Sequence, residues 1–111
     1  MRSIFPQPIR DLPQADMHLD GATGYIAQGD HEQVIFMEFE KTIEIPQHSH
    51  ESQWEIVLEG EVCYREDGVE HLYKKGDRFF IPTGKAHSAT ISAGYSSIVF
   101  FNQKERYAKK E

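Results

Sequence analysis

The sequence has little of what membrane-spanning and disulfide-stabilised proteins need. Cys63 is the only cysteine among 111 residues, so no disulfide can form within the chain, and a reducing compartment suits it. No segment approaches the roughly 20 apolar residues that cross a bilayer. The N-terminal residues also lack the apolar run of a secretory signal. We therefore expect a cytoplasmic protein with no membrane partner.

Positive charge is also scarce. Twelve Lys and Arg face 18 Asp and Glu, which gives a net charge of −6. A phosphate backbone needs a basic face, so this balance argues against a nucleic-acid partner. The basic residues that do cluster lie at 104–110, which we interpret as a solvated tail.

Extended helical periodicity is missing, and short stretches of alternating apolar and polar residues take its place. Turn residues interrupt these stretches every eight to twelve positions, and Asp67-Gly68 is the dipeptide typical of a tight hairpin. The pattern predicts an all-β sandwich or barrel. The predicted strands include 34–40, 42–45, 53–58, 61–66, 69–74, 78–81, 86–92 and 95–101.

The domain organisation is simple. Residues 1–22 contain three prolines and little periodicity, and we expect an extended N-terminal arm. Residues 23–103 form one β-barrel, and 104–111 the basic C-terminal tail. Because the arm has no strand partner of its own, it is the natural element to cross to a second copy, and we predict a homodimer.

Three of the six histidines lie in contexts that can bring them together. His48 and His50 are two positions apart, so in a strand their rings share a face. His87 follows a Pro-x-Gly turn in a distant segment. Two neighbouring histidines and one remote histidine indicate an open metal site. The other three, His18, His31 and His71, are interpreted as solvated surface residues.

The spacing around these histidines resembles that of a known family. Gly76-x5-Pro82-x-Gly84-x2-His87 is similar, position by position, to the second sequence motif of the cupins. His48-x-His50, followed by 57–61, resembles the first motif, although Thr42 stands where its opening glycine would fall. The resemblance covers about residues 33–101 and implies a small single-domain cupin with an RmlC-like jelly roll. It further implies that the three histidines hold a divalent metal.

The resemblance leaves the fourth ligand open between two residues. Cupins supply a Glu or Gln after the histidine pair; Glu55 fits when counting forward from His50, and Gln53 fits when counting back from Gly60. Both have the same strand parity. We favour Gln53, because Gln53-Trp54 is like the Gln-Trp pair of a subgroup of short cupins. Glu55 would then be an acceptor beside the ligand or the general base, and it is our candidate catalytic residue.

Imidazole and oxygen donors suit Zn, Fe, Mn, Ni, Co or Cu, and the ligand set alone does not identify which of these metals is bound. We expect a metal-dependent enzyme that acts on a small molecule as a dioxygenase, decarboxylase, isomerase or lyase. The alternative is a non-catalytic cupin module that binds or senses a small molecule, since the fold selects no reaction. Trp54 alternates away from Gln53, so it should pack between the sheets or at a subunit contact and not touch the metal. The other aromatic residues expected to fill the core are Tyr64, Phe79, Phe80, Tyr95, Phe100 and Phe101.

Overall fold

A computed structural model describes residues 2–111, and in this range the chain forms nine β-strands and one short helix. The helix α1 (Gln7–Arg10) precedes every strand. The strands are β1 (Ala22–Gln28), β2 (Gln33–Phe39), β3 (Ile43–His48), β4 (Gln53–Glu59), β5 (Glu61–Glu66), β6 (Val69–Lys74), β7 (Arg78–Ile81), β8 (His87–Ile91) and β9 (Ser96–Phe101). No helix in residues 2–111 has the length and apolar character needed to cross a membrane.

The strands form two antiparallel sheets, which confirms the all-β jelly-roll prediction. One sheet has the order β1-β2-β9-β4-β7 and the other β3-β8-β5-β6. Strand alternation directs one set of side chains between the sheets. Ile35, Val57 and Val99 are at most 1% exposed and form the centre of this core. The hairpin predicted at Asp67-Gly68 joins β5 to β6, and both residues have positive φ, 49° and 74°.

Strand β3 is longer than the sequence predicts. We expected Pro46 to end it at Ile45, but the strand continues through the proline to His48. Proline is tolerated here because β3 is an edge strand, where a missing N–H breaks no ladder, and because the pairing with β8 shifts register between Ile45 and His48. The irregularity places His48 opposite His87.

The N-terminal arm and the C-terminal tail both pack on the barrel, and they pair with each other. The Ala15 N–H donates to the Gly24 carbonyl of β1 at 2.8 Å, and Ala15 also forms a bridge with Lys109 of the tail. The buried Gln33 side chain binds both the N–H and the carbonyl of Tyr107, at 3.1 and 2.9 Å. The tail keeps the exposed lysine side chains expected of it, at Lys104, Lys109 and Lys110, but its backbone is fixed by long-range pairing, which a local charge pattern does not show. The arm, for its part, lies against its own barrel.

The outer face of the five-stranded sheet carries an exposed aromatic row. Trp54 on β4 is directly opposite Phe80 on β7 and Phe100 on β9. The three side chains are 40%, 59% and 39% exposed. Trp54 thus faces away from the metal site, as expected, but it does not pack between the sheets, and the assignment of Phe80 and Phe100 to the core is wrong. Strand alternation turns them outward because their neighbours Ile81 and Phe101 face inward.

Candidate metal centre

Three imidazole rings converge at one end of the barrel. His48 ends β3, His50 lies in the loop that follows, and His87 begins β8. Their ring centroids are 4.3, 4.9 and 5.1 Å apart, and one nitrogen of each lies within 4.8 Å of the others. The structure therefore brings the three predicted histidines together, although His50 lies beyond the strand and not within it. No Asp, Glu or Cys of residues 2–111 belongs to this cluster.

Each ring is oriented by the same kind of hydrogen bond. The Nδ1 atoms of His48, His50 and His87 lie 2.9, 2.7 and 2.8 Å from backbone carbonyl oxygens. A carbonyl can only accept, so in the neutral ring Nδ1 carries the hydrogen and Nε2 keeps a free lone pair. Metal-binding histidines show this arrangement, because the backbone acceptor fixes the tautomer and the ring orientation. The donor set of the three rings therefore fits a divalent transition metal.

Burial favours the uncharged form of His50 and of His87. It lowers the pKa of His50 to about 4, and the nearby positive charge of Arg106 acts in the same direction. Burial also lowers the pKa of His87. A protonated ring cannot bind a metal, so this environment prepares the lone pairs for a cation.

Next to the histidines, Gln53 and Glu55 point inward from β4 and hydrogen-bond to each other. Gln53 Nε2 donates to Glu55 Oε1 at 2.7 Å, and the Tyr95 hydroxyl donates to Glu55 Oε2. Burial raises the pKa of Glu55, while the bonds from Tyr95 and Gln53 lower it. Because the amide nitrogen of Gln53 is used toward Glu55, its oxygen is the atom left for another partner. Both alternatives for the fourth ligand thus border the site, in different roles within one network.

The histidines line a mainly apolar cavity of about 90 Å³ inside the barrel. An outer vestibule of about 320 Å³ lies at its mouth, and both spaces share the side chains of Met17, Leu19, His48 and Arg106. The cavity can hold several waters or a small molecule. Its other lining residues include Met37, Phe39, Ile45, Val62, Tyr64, Phe79, Ile81, Ile91 and Tyr107.

Arg106 and Tyr107 are site residues that the sequence analysis missed. The guanidinium carbon of Arg106 lies 4.4 Å from the centroid of the Tyr107 ring and 5.6 Å from that of Phe101. The Phe101 ring in turn contacts His50, with centroids 5.5 Å apart. The only hint in the sequence is an aromatic residue within a basic stretch, which does not indicate a pocket.

The remaining histidines lie outside the cluster. His18 and His31 are exposed, and His71 stacks on Tyr73 with centroids 6.0 Å apart. His18 belongs to the wall of the vestibule, where its Nδ1 is 3.4 Å from Asp16 Oδ1. None of the three reaches the converging nitrogens of the site.

Comparison with known proteins supports the fold and the family. The model of the cupin domain family matches residues 35–100. Among similar solved structures is an RmlC-like cupin from Shewanella frigidimarina, at 27% identity and a TM-score of 0.74, with 95% of this chain and 94% of that one covered. KdgF from a Halomonas species is similar at 19% identity and a TM-score of 0.71, with 95% and 97% covered. A search of curated proteins found no match.

A larger enzyme shares the same fold. Bacillus subtilis oxalate decarboxylase, whose structure was used to study its Mn(II) centres, has 18% identity and a TM-score of 0.67. The alignment covers 87% of this chain and 29% of that one. At this identity the likeness concerns the fold alone.

Proposed function

The chain belongs to the cupin domain family, and from this premise we propose that it is a divalent-metal-binding cupin that acts on a small molecule. The observation that carries the proposal is the convergence of three imidazole rings, each with Nδ1 held by a backbone carbonyl, on a mainly apolar cavity. The Mn(II) centres of the oxalate decarboxylase are compatible with it. The reaction belongs to the dioxygenase, decarboxylase, isomerase or lyase class.

In this proposal His48, His50, His87 and Gln53 hold one Zn, Fe, Mn, Ni, Co or Cu ion. Such an ion acts as a Lewis acid or a redox centre toward a bound ligand. The protein residues orient the donors and exclude water. All four donors are neutral, so the divalent ion keeps its full positive charge, which favours anionic ligands.

Glu55 has two roles in this proposal. Its carboxylate accepts the Gln53 amide hydrogen and so leaves the Gln53 oxygen available to bind the metal. It also lines the cavity, and burial raises its pKa, which suits a residue that accepts a proton from a substrate. Tyr95 holds the other carboxylate oxygen in place.

Catalysis by this site is tested with metal-loaded protein and a library of small molecules. The protein is incubated aerobically and anaerobically, and products are followed by mass spectrometry. We expect one compound to be consumed, and the reaction to stop in a variant without His48 and His50. The alternative function, a module that binds or senses a small molecule, predicts instead a tight ligand that is released unchanged. The cavity suits both an enzyme and a binding module, and its shape does not distinguish between these two functions.

We propose that the protein is a homodimer. We also propose that it works in the cytoplasm, because a chain with a single cysteine suits a reducing compartment. The arm packs on its own barrel, so we propose that the dimer interface is formed instead by the aromatic row of Trp54, Phe80 and Phe100. Ile56 and Ile98, which are half-buried, continue the same face. A contiguous apolar surface of this kind is typical of an interface, and two-fold symmetry pairs it with itself.

If the aromatic row is the dimer interface, one negative charge introduced there should dissociate the dimer. Light scattering on the wild type should give twice the chain mass of 12.8 kDa. Trp54→Asp should shift the protein to monomer at micromolar concentration, because a buried unpaired carboxylate opposes association. Leu72→Asp is the matched control, since Leu72 is 53% exposed but lies on β6 of the other sheet. A wild-type mass near 12.8 kDa contradicts the dimer.

A further inference from the structure

Arg106 presents an unpaired positive charge to the cavity. Among residues 2–111 its guanidinium has no ion-pair partner and no hydrogen-bond acceptor, and its Nε is shielded from solvent. Arg65 shows the contrast: it bonds to Glu44 and Thr90, both at 3.0 Å. A shielded Nε–H without an acceptor is costly, and a ligand oxygen could supply the missing acceptor.

The residues that hold Arg106 in place contact the flat face of its guanidinium and do not accept hydrogen bonds from its N–H groups. The Phe101 and Tyr107 rings pack against the guanidinium, and the buried Gln33 amide holds the Tyr107 backbone at both its N–H and its carbonyl. Stacked aromatic rings leave the planar fork of N–H groups available. The fork is therefore preorganised but unoccupied by protein acceptors.

Arg106 also lies at the junction of the two spaces, since it lines both the inner cavity and the vestibule together with His48. The inner cavity that it lines is also lined by His50 and His87, so its charge faces the same space as the proposed metal site. The only carboxylate lining the inner cavity, Glu55, already accepts bonds from Gln53 and Tyr95. Asp16 lines the vestibule, so the charge of Arg106 is least compensated on the side of the inner cavity.

We propose that Arg106 is a specificity-determining residue that binds the carboxylate of a small organic acid with an apolar body. The proposal rests on the metal-binding function proposed above. The carboxylate accepts two parallel hydrogen bonds from the guanidinium, and the apolar part of the ligand occupies the inner cavity beside the histidines. Two other arginines of the barrel, Arg65 and Arg78, do not line this cavity.

The test uses calorimetry on metal-loaded protein with propionate and benzoate as probes, and propionamide and benzamide as their uncharged counterparts. Wild type should bind at least one acid about 10- to 100-fold more tightly than its amide, as expected for hydrogen bonds to a charged group. The metal itself also favours anions, so Arg106→Gln should not abolish this preference but should lower it about 10-fold or more, and Arg106→Lys should retain more of it. Lys104→Gln is the matched control, because it removes one charge from the same tail at an exposed position.

Elemental analysis of every variant separates this proposal from the metal site. Normal metal content with weakened acid binding in Arg106→Gln supports the role of Arg106. Two results overturn it: metal-loaded wild type that binds neither acid better than its amide, and Arg106→Gln that binds the acids as tightly as wild type. Absence of metal from wild type instead overturns the proposed function on which it rests.

Discussion

Addition of its divalent metal to the metal-free protein should raise the free energy of unfolding by about 2.7 kcal/mol when the free metal is a hundredfold above the dissociation constant. For a domain of this length the melting temperature should rise by about 10 °C. The reason is that folding assembles the three rings from β3, the loop after it and β8, whereas the unfolded chain offers no such set of donors. Thermal unfolding followed by circular dichroism, with Zn, Fe, Mn, Ni, Co and Cu added separately, measures the shift.

Two double variants control for metal binding elsewhere. His48→Ala/His50→Ala should show no shift with any of the metals. His18→Ala/His31→Ala removes the same number of imidazoles from exposed positions and should keep the full shift. An equal shift in both double variants would place the metal outside the three-histidine cluster.

Replacement of Gln53 should weaken metal binding far more than loss of the Glu55 charge. Outer residues that orient a ligand contribute about 10- to 100-fold to metal affinity, and a direct ligand should contribute at least as much. We therefore expect Gln53→Ala, and the longer apolar Gln53→Met, to lower metal affinity by about 100-fold or more. Glu55→Gln should stay close to wild type, since its amide oxygen can still accept from Gln53 and its volume is conserved.

The comparison of these variants decides between the two residues. Affinities are measured by competition with a chelator, and circular dichroism of the metal-free proteins checks that each variant folds. Glu55→Ala should lose about 10- to 100-fold, because nothing then orients the Gln53 amide. If Glu55→Gln lost more affinity than Gln53→Met, Glu55 would be the ligand and Gln53 its neighbour.

Much of the fold can be read from local pattern in the sequence. Alternation along β2 and β4 identifies the inward side chains, and the positive φ required at Asp67 and Gly68 identifies the hairpin between β5 and β6. The histidines could be predicted to meet because their motif spacing reflects the turns that place them. The structure adds the backbone carbonyls at all three Nδ1 atoms, which no local pattern reveals.

Other features depend on contacts between distant segments. Phe100 and Phe101 are both aromatic and adjacent, so one of them must face outward, and composition alone does not say which. A proline such as Pro46 would end a central strand but is tolerated in an edge strand. Whether β3 is an edge strand depends on the order of the strands in the sheet, which local sequence does not show. Arg106 reaches the pocket only because Gln33 and the N-terminal arm hold the tail on the barrel.

Elemental analysis of the purified, tag-free protein, beside the His48→Ala/His50→Ala variant, tests the metal centre most directly. The structure predicts close to one divalent transition metal per chain in wild type and its loss in the variant. Iron or copper would direct the substrate search to O2-dependent reactions, and zinc, manganese or nickel would leave isomerases and lyases equally open. Wild-type protein that holds no metal, even after reconstitution, would contradict the account and leave the three histidines as the lining of a binding pocket.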